Sequence, residues 1–189
     1  MNNLNNTINN AKKILKLFKF YHRYEIHGLE NIPLNGPLIL ITNHSLATYD
    51  GFMLGMEIFE ETNRLPKGLG DDMLFKIPVV KKIFNDLGIV PGNWDNARQI
   101  LIDNGILAIA PGGMRESLRP SSQKYEIMWA KRKGFIKLAV EEQVPIVLAA
   151  CPNADRIFRV YESFITALIY KKFRFPVPFF RGFGFSVIP

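Results

Sequence analysis

Two patterns of apolar and polar positions predict the main elements of the fold: continuous apolar stretches and apolar residues at helical spacing. Continuous apolar stretches predict strands at Pro37–Thr42, Leu87–Val90, Gly105–Ala110 and Val144–Ala149. Helical spacing and boundary residues predict helices at Tyr49–Glu61, Asp72–Phe84, Trp94–Asp103, Gly134–Glu142 and Ala154–Lys172. Nearly all-apolar strands that alternate with helices are typical of an α/β sheet covered on both faces. We therefore predict a single α/β domain whose mostly apolar sheet is flanked by helices.

The amino-terminal segment has the pattern of a basic amphipathic helix. Its apolar residues recur at spacings of three and four, with lysines between them: Ile8, Ala11, Ile14, Leu15, Phe18, Tyr21 and Tyr24. Such a helix either packs on its own domain or lies in a lipid interface. One helix can also do both, because it has two faces.

The carboxyl-terminal segment, Phe173–Phe185, holds six phenylalanines together with Arg174, Arg181, two prolines and two glycines. These phenylalanine rings either pack in the core or contact acyl chains, and the sequence leaves both interpretations open. Base stacking is a weaker alternative, because neither an RNP-like motif nor a zinc motif accompanies the segment. We therefore expect no nucleic-acid partner.

Charge is concentrated at the two ends of the 189-residue chain, whose formal net charge is +7. Residues 1–24 carry five basic residues and no acidic one, while residues 158–189 carry five basic residues and one acidic residue. The middle of the chain holds 14 basic and 16 acidic residues. Basic ends on a nearly neutral body predict an anionic surface as partner.

The single cysteine, Cys151, excludes an intramolecular disulfide and a thiolate-based zinc site, and it fits a reducing compartment. The longest apolar runs are about eight residues, whereas a bilayer-spanning helix needs about 20. We therefore expect any membrane contact to be peripheral, at the cytoplasmic face.

The loop after the first predicted strand carries a histidine and an aspartate. His44 follows Pro37–Thr42 directly, and Asp50 lies near the start of the next predicted helix. A histidine oriented by a carboxylate can take a proton from an alcohol near neutral pH, although such a pair is also common in ordinary loops. A Ser-His-Asp triad is disfavoured, because the chain has no Gly-x-Ser-x-Gly elbow.

The loop after Gly105–Ala110 reads Pro-Gly-Gly-Met-Arg-Glu-Ser over Pro111–Ser117. Its two glycines allow a ligand to approach backbone N–H groups, and Arg115 and Glu116 can hold polar groups. An ordinary Gly-Gly turn is the alternative. A Walker phosphate loop is excluded, because no Gly-Lys-Ser/Thr follows.

Five short blocks occur in an order that resembles a known enzyme superfamily. They are Asn43-His44 with Asp50, Gly88–Asn93, Pro111–Ser117, Lys131–Phe135 and Val144–Val147. Together they resemble the ordered blocks of the glycerolipid and lysophospholipid acyltransferase superfamily. The Pro-Gly-Gly-x-x-Glu block resembles its monoacylglycerol/diacylglycerol acyltransferase-like branch. The likeness covers residues 25–189; one block alone is weakly specific, and five in order are strongly specific.

The resemblance implies transfer of a fatty acyl group from a thioester donor, acyl-CoA or acyl carrier protein, to the hydroxyl of a lipid. It implies that His44 is the general base and Asp50 its orienting partner. Acceptor-binding residues are implied at Asn43, Ser45, Gly88, Pro91, Gly92, Asn93, Gly112, Gly113, Met114, Arg115 and Glu116. It implies no bound cofactor, no metal and no covalent enzyme intermediate.

The chain departs from the superfamily pattern at three points. Five residues separate His44 from Asp50 where four are usual, although the longer spacing accompanies the diacylglycerol-like branch. Asn93 stands where phosphate-accepting members have an arginine, so the resemblance implies a neutral glyceride or a long-chain alcohol as acceptor. The chain also ends where relatives would carry a further strand, so we expect it to be truncated.

These observations predict two segments, a membrane-surface helix over residues 1–24 and an acyltransferase domain over residues 25–189. The expected partners are a lipid surface, a lipid acceptor and an acyl thioester. Two alternatives remain open from the sequence: a lysophospholipid or glycerol-phosphate acyltransferase, and a non-catalytic peripheral lipid-binding protein on the same fold.

Overall fold

A computed structural model of the chain describes residues 12–13, 16–173 and 177–182, and it has an α/β fold. The strands are β1 (Leu38–Thr42), β2 (Lys67–Gly70), β3 (Ile89–Pro91), β4 (Ile106–Ile109), β5 (Ile146–Ala149), β6 (Arg159–Val160) and β7 (Phe180–Arg181). The α-helices are α1 (residues 16–22), α2 (Tyr49–Thr62), α3 (Pro78–Asp86), α4 (Trp94–Ile102), α5 (Gly113–Ser117), α6 (Gly134–Glu142) and α7 (Phe164–Phe173). Short 3-10 turns lie at Leu29–Asn31, Leu46–Thr48, Leu74–Lys76, Ser121–Gln123 and Pro152–Arg156.

The main sheet has the strand order β3-β2-β4-β1-β5, and every pair in it is parallel. Because the strands are parallel, the loops that follow them all open at one edge of the sheet. β1 lies between β4 and β5, so the loops after these three strands are direct neighbours. This arrangement sets where the candidate residues meet.

Side chains of β1 alternate between two hydrophobic cores, one on each face of the sheet. Ile39 and Ile41 pack with Leu107 of β4 and with buried residues of α4 and α6. Leu38 and Leu40 point to the opposite face, where Ile58 of α2 joins the second core. The predicted α/β class with helices on both faces is therefore confirmed for the centre of the sheet.

The edge strand β5 differs from the prediction that every strand is covered on both faces. Ile146 and Leu148 point to the same face as Ile39 and Ile41, yet Leu148 is 71% exposed. Apolar composition therefore predicted the strand, whereas its position at the sheet edge sets how much of it is buried.

The sequence analysis missed β2 because this strand has only one large apolar side chain, Leu69, between two glycines. A Cβ on Gly70 would lie 3.0–3.1 Å from side chains of Ile89, Phe84 and Phe75, so glycine allows these residues to pack on the backbone. The helix predicted over Asp72–Phe84 begins only at Pro78, because proline fixes φ and suits a first helical position.

The long helix predicted over Ala154–Lys172 is wrong in its first half. This stretch instead forms a 3-10 turn, then β6, and only then α7. β6 pairs antiparallel with β7, about 20 residues later, and Val160 N–H also binds Ser121 Oγ. Partners distant in sequence thus override the local helical pattern.

The described part of the amino-terminal helix packs on α2. Phe18 and Tyr24 contact the cluster that contains Met53 and Met56, and Lys19 forms an ion pair of 2.8 Å with Glu57. On its other side this helix exposes Leu17, Phe20 and Tyr21. Four predicted stripe residues lie outside the described residues: Ile8, Ala11, Ile14 and Leu15. None of the described helices has the length and apolar content that crossing a bilayer requires.

One phenylalanine of the carboxyl-terminal segment packs inside the small sheet. The Phe180 ring meets Phe158 edge to face with centroids 5.3 Å apart, whereas Phe179 is 49% exposed. Phe175, Phe183 and Phe185 lie outside the described residues.

Candidate active site

The loop between β1 and α2 presents His44 at the edge of the sheet where the strands end. It is flanked by the loop after β4, which begins at Ala110, and by the loop after β5, which begins at Ala150. Sheets of this kind bind ligands at the carboxyl ends of their strands. The structure thus brings the first and third blocks of the sequence together.

The ring of His44 is held through Nδ1. This nitrogen lies 3.0 Å from the carbonyl oxygen of Ser45 and 2.8 Å from Oγ1 of Thr48. A carbonyl oxygen only accepts hydrogen bonds, so Nδ1 carries the proton and Nε2 has a free lone pair. This tautomer is the one that a general base requires.

Burial and charge both keep the His44 ring neutral. Burial lowers the pKa of His44, and the guanidinium groups of Arg119 and Arg132 lower it further, while the hydrogen bond to Ser45 acts in the opposite direction. The lowered pKa favours the neutral imidazole, which keeps a single proton.

Asp50 lies in the first turn of α2 and is 5% exposed. Its Oδ1 accepts a hydrogen bond from the Ser45 hydroxyl. Burial raises the pKa of Asp50, and the Asp155 carboxylate adds to this effect, whereas hydrogen bonds from Ser45 and from backbone N–H groups oppose it.

The immediate partner of Asp50 differs from the sequence prediction. Among the hydrogen bonds of the described residues, none joins the His44 ring to the Asp50 carboxylate; Ser45 and Thr48 occupy Nδ1 instead. The physical reason is the longer spacing. The extra residue is taken up by the turn Leu46–Thr48, in which Thr48 adopts a left-handed conformation with φ of 51°. Asp50 is therefore connected to His44 through Ser45.

Glu116 supports the His44 loop from beneath. It is 1% exposed, its Oε1 accepts the backbone N–H of His44 at 3.2 Å, and Arg119 lies 3.6 Å from the same oxygen. Gly112 makes this possible, because a Cβ there would lie 1.6 Å from Glu116 Oε2. The carboxylate predicted to bind the acceptor thus contacts the protein's own backbone.

The second glycine of the loop, Gly113, is required for a different reason from Gly112. Gly113 has φ of 51°, in the left-handed region, and a Cβ there would lie 2.9 Å from Arg132 Nη1. Arg132 in turn donates to the carbonyl oxygens of Pro111 and Gly112. The next residues, Met114 and Arg115, are half-buried and exposed, respectively.

Asn43 ties two of the loops together. Its Oδ1 accepts the backbone N–H of Cys151 at 2.8 Å, and its Nδ2 donates to the Cys151 carbonyl at 3.3 Å. Ser45, predicted beside it as an acceptor ligand, is 3% exposed. Both side chains hold the loop after β1 in the arrangement seen here.

The second block lies farther from His44 than the first and third. Its strand β3 is separated from β1 by β2 and β4, a distance of roughly 14 Å at about 4.8 Å per strand. Through the pairs of Ile89 with Gly68, Gly68 with Ala108 and Ala108 with Leu40, Ile89 lies level with the middle of β1.

This register corrects one predicted residue and refines three. Gly88 precedes β3, so it lies away from the edge that carries His44. Pro91 and Gly92 do reach that edge, and the Gly92 N–H binds the Gly70 carbonyl at 2.8 Å. Asn93 caps α4 by accepting the Asn96 N–H at 2.8 Å.

A cavity of about 860 Å³ lies next to the loop between β1 and α2. Its walls are formed by α2, by β5 and the loop after it, and by the segment between α1 and β1. Its lining includes Tyr24, Asp50, Met53, Val147 and Cys151. Burial raises the pKa of Tyr24, as do the neighbouring Cys151 and Asp50, and burial also raises the pKa of Cys151.

Sequence reasoning missed three residues that matter at this site. Thr48 lies within the long His44–Asp50 spacing, and that departure was its only signal. Arg119 follows Glu116 by three positions, the spacing of helical neighbours, and also pairs with Asp155. Tyr24 was counted only as part of an amphipathic stripe.

The chain is similar in sequence to known proteins. The chain is 34% identical over 165 residues to a Bos taurus protein named "DGAT1/2-independent enzyme synthesizing storage lipids", covering 86% of this chain and 49% of that protein. The Homo sapiens protein of the same name is 33% identical over 165 residues, covering 86% and 51%. An uncharacterised Mycobacterium tuberculosis protein is 27% identical over 144 residues, covering 75% and 40%.

The chain thus spans about half the length of the two storage-lipid relatives. No solved structure matches it significantly. A family model described as Acyltransferase matches residues 23–151, a range that includes His44, Asp50 and the Gly-Gly loop. The chain therefore belongs to the acyltransferase family.

Proposed function

We propose that this chain transfers a fatty acyl group from a thioester donor to the hydroxyl of a lipid, with His44 as general base. The observation that carries the proposal is that Nδ1 of His44 contacts the Ser45 carbonyl and Thr48 Oγ1, which favours the tautomer in which Nε2 can accept a proton. Family membership and the name of the storage-lipid relatives support the lipid substrate class.

In the proposed step, Nε2 of His44 takes the proton of the acceptor hydroxyl while that oxygen attacks the thioester carbonyl. The tetrahedral intermediate then breaks its carbon–sulfur bond, and the imidazolium returns the proton to the leaving thiolate. The lowered pKa of His44 serves both steps, because the ring is neutral before attack and gives its proton up readily afterwards. The donor is acyl-CoA or acyl carrier protein.

The proposed acceptor is a neutral glyceride or a long-chain alcohol. A phosphate would be held best by a guanidinium in bidentate geometry. Asn93 caps α4, and Arg98, on the same helix, pairs with Glu141 and Glu142 of α6. Nearer to His44, Arg119 pairs with Glu116 and Asp155, and Arg132 donates to backbone carbonyls. Arg115 is exposed beside the Gly-Gly loop, so it is the arginine whose effect on a phosphate we test.

The acceptor proposal is tested by comparing monoacylglycerol with lysophosphatidate at equal concentrations. We expect clearly faster transfer to monoacylglycerol, with the Arg115→Gln variant unchanged in this preference. A strong preference for lysophosphatidate that Arg115→Gln abolishes would replace the neutral acceptor with a phosphate-bearing one.

We further propose that the protein works at a lipid surface, with acceptor and donor supplied from or beside the membrane. The described part of α1 supports this, because Leu17, Phe20 and Tyr21 are exposed next to the exposed Lys13 and Lys16. Exposed apolar and basic side chains in one helix are typical of interfacial binding.

The catalytic proposal is tested by His44→Ala in an acyl-transfer assay with acyl-CoA and with acyl carrier protein. Turnover should fall by about 10²- to 10⁴-fold, as is usual when a general base is lost. His27→Ala is the matched control, because His27 is exposed and pairs only weakly with Glu25, 3.8 Å away. A folded His44→Ala protein that keeps its activity would favour a lipid-binding role without catalysis.

A further inference from the structure

We propose that Thr48 is a positioning residue for His44, whose hydroxyl accepts the Nδ1 proton of the imidazole and donates its own proton to the Ser45 carbonyl. This inference rests on the proposed role of His44 as general base. Its effect is to hold the ring in one orientation by a second contact at Nδ1.

The three distances around Nδ1 favour one pattern of donors and acceptors, in which the Ser45 carbonyl and Thr48 Oγ1 share the Nδ1 proton. Thr48 Oγ1 is 2.8 Å from Nδ1 and 3.3 Å from the Ser45 carbonyl, and Nδ1 is 3.0 Å from the same carbonyl. If Thr48 donated to Nδ1, two lone pairs, of Nδ1 and of the carbonyl oxygen, would face each other. The favourable pattern has Nδ1 donating and Thr48 passing its proton to Ser45.

The backbone at Thr48 gives a second, independent observation. Thr48 has φ of 51° and ψ of 27°, a left-handed conformation that is costly for a β-branched residue and that glycine or asparagine would adopt more easily. Strained backbone of this kind concentrates at functional sites. Here the strain turns a hydroxyl towards the ring of the proposed base.

Thr48 and Asp50 orient His44 through different contacts. The Asp50 carboxylate accepts from Ser45 Oγ and so fixes Ser45, whose carbonyl receives the Nδ1 proton. Thr48 contacts the ring itself. Glu116 holds the backbone N–H of His44 from the other side, so the loop is fixed at three points.

The test compares Thr48→Val, which keeps the shape and removes the hydroxyl, with Thr48→Ser, which keeps the hydroxyl. We expect Thr48→Val to lower kcat about tenfold with little change in KM, as for the loss of one hydrogen bond in catalysis. Thr48→Ser should keep most of the activity.

The pH profile provides a readout that a purely structural role would not move. Accepting the Nδ1 proton favours the imidazolium, so losing the hydroxyl should lower the pKa of His44 and shift the acidic limb of kcat to lower pH. The charged groups that face this ring, Arg119 and Arg132, remain in both variants. Thr48→Ser should keep the wild-type limb.

A ¹⁵N spectrum of histidine-labelled protein tests the contact without relying on activity. The chain has three histidines, and His44→Ala identifies the signals of His44. The Ser45 carbonyl remains in Thr48→Val, so we expect the Nδ1–H tautomer in both proteins and a shifted Nδ1 resonance in Thr48→Val, where one acceptor of this proton is lost. Failure of the proposed function would appear as unchanged turnover in His44→Ala, whatever this spectrum shows.

Thr48→Gly is a second variant without the hydroxyl, for use if Thr48→Val folds poorly. Glycine adopts the left-handed φ of residue 48 without strain. Thr48→Gly should fold at least as well as the wild type and yet lose about as much kcat as Thr48→Val. Asn63→Gly, at the left-handed position after the other end of α2, is the matched control and should keep full activity. Equal kcat and equal ¹⁵N spectra in the wild type, Thr48→Val and Thr48→Gly would overturn the proposal.

Discussion

At the residue scale, the carboxylate of Asp50 and the ring of His44 are linked by Ser45 and do not touch directly. The Ser45 hydroxyl binds Asp50, and the Ser45 carbonyl binds Nδ1 of His44. A negative charge at Asp50 is not needed for this link, and burial raises the pKa of Asp50, so the charged form is the more costly one in the folded protein.

This geometry predicts different outcomes for two substitutions of Asp50. Asp50→Asn keeps an oxygen that can accept from Ser45, so transfer activity should fall less than about tenfold, and stability at neutral pH should not decrease. Asp50→Ala removes the acceptor and should lower activity further. The family resemblance implied that Asp50 orients His44 as a carboxylate, for which Asp50→Asn would lower activity severely.

The measurement is kcat for the two variants beside His44→Ala, with urea unfolding as the folding control. The stability difference between wild type and Asp50→Asn should shrink as pH falls, because the buried carboxyl of the wild type then takes up its proton. An Asp50→Asn protein as slow as His44→Ala would mean that the carboxylate contacts His44 during turnover.

At the element scale, the loop between β4 and α5 is fixed by a close approach that only glycine allows. A Cβ at residue 112 would lie 1.6 Å from Glu116 Oε2 and 2.3 Å from its Cβ. Gly112→Ala must therefore displace Glu116 from the His44 N–H. We expect a loss of about 1–3 kcal/mol in the free energy of unfolding, as for overpacking, together with reduced kcat.

Gly55→Ala is the matched control for this loop. Gly55 lies in α2, and a Cβ there would meet nothing closer than Pro66 Cδ at 4.0 Å. Alanine in a helix should raise the free energy of unfolding by about 0.5–1 kcal/mol without changing activity. Urea unfolding of both variants provides the comparison; a Gly112→Ala protein as stable as wild type would contradict the predicted overlap with Glu116.

Some secondary-structure elements can be predicted from the local sequence pattern and others cannot. Strands β1 and β4 and helices α2, α4 and α6 follow from local apolar patterns, because their burial is determined by neighbours with regular spacing. β2 and β6 were missed, since each depends on distant partners: Phe75, Phe84 and Ile89 for β2, and β7 for β6. His44 was found from its place after a strand, but its contact with Thr48 depends on how the loop turns.

At the scale of the whole molecule, the two faces of the sheet present different surfaces. On one face α2 is covered by α1, through Phe18 and through an ion pair of Lys19 with Glu57, and Lys12, which precedes α1, pairs with Glu60. The opposite face carries α6, whose Ile136 and Val140 are also exposed. Both faces therefore offer apolar side chains, and only α1 lies in the basic amino-terminal segment.

The basic segment is expected to make the α1 side the one that meets lipid. Each exposed lysine contributes about 1 kcal/mol near an anionic leaflet, and each large apolar side chain adds about 1.5–3 kcal/mol when fully buried. Deleting residues 1–24 would also remove Phe18 and Tyr24, which pack on the Met53 cluster, so substitutions of exposed residues give a sharper test.

The membrane prediction is that the triple variant Leu17→Gln, Phe20→Gln, Tyr21→Gln binds anionic vesicles at least tenfold more weakly than wild type. These side chains are 63%, 85% and 54% exposed, so the fold should be retained. Ile136→Gln with Val140→Gln on α6 is the matched control, because it removes exposed apolar surface from the opposite face. Vesicle flotation at several salt concentrations provides the measurement, with weaker wild-type binding expected at high salt. Loss of flotation in the α6 variant alone would place the lipid surface on the other face of the sheet.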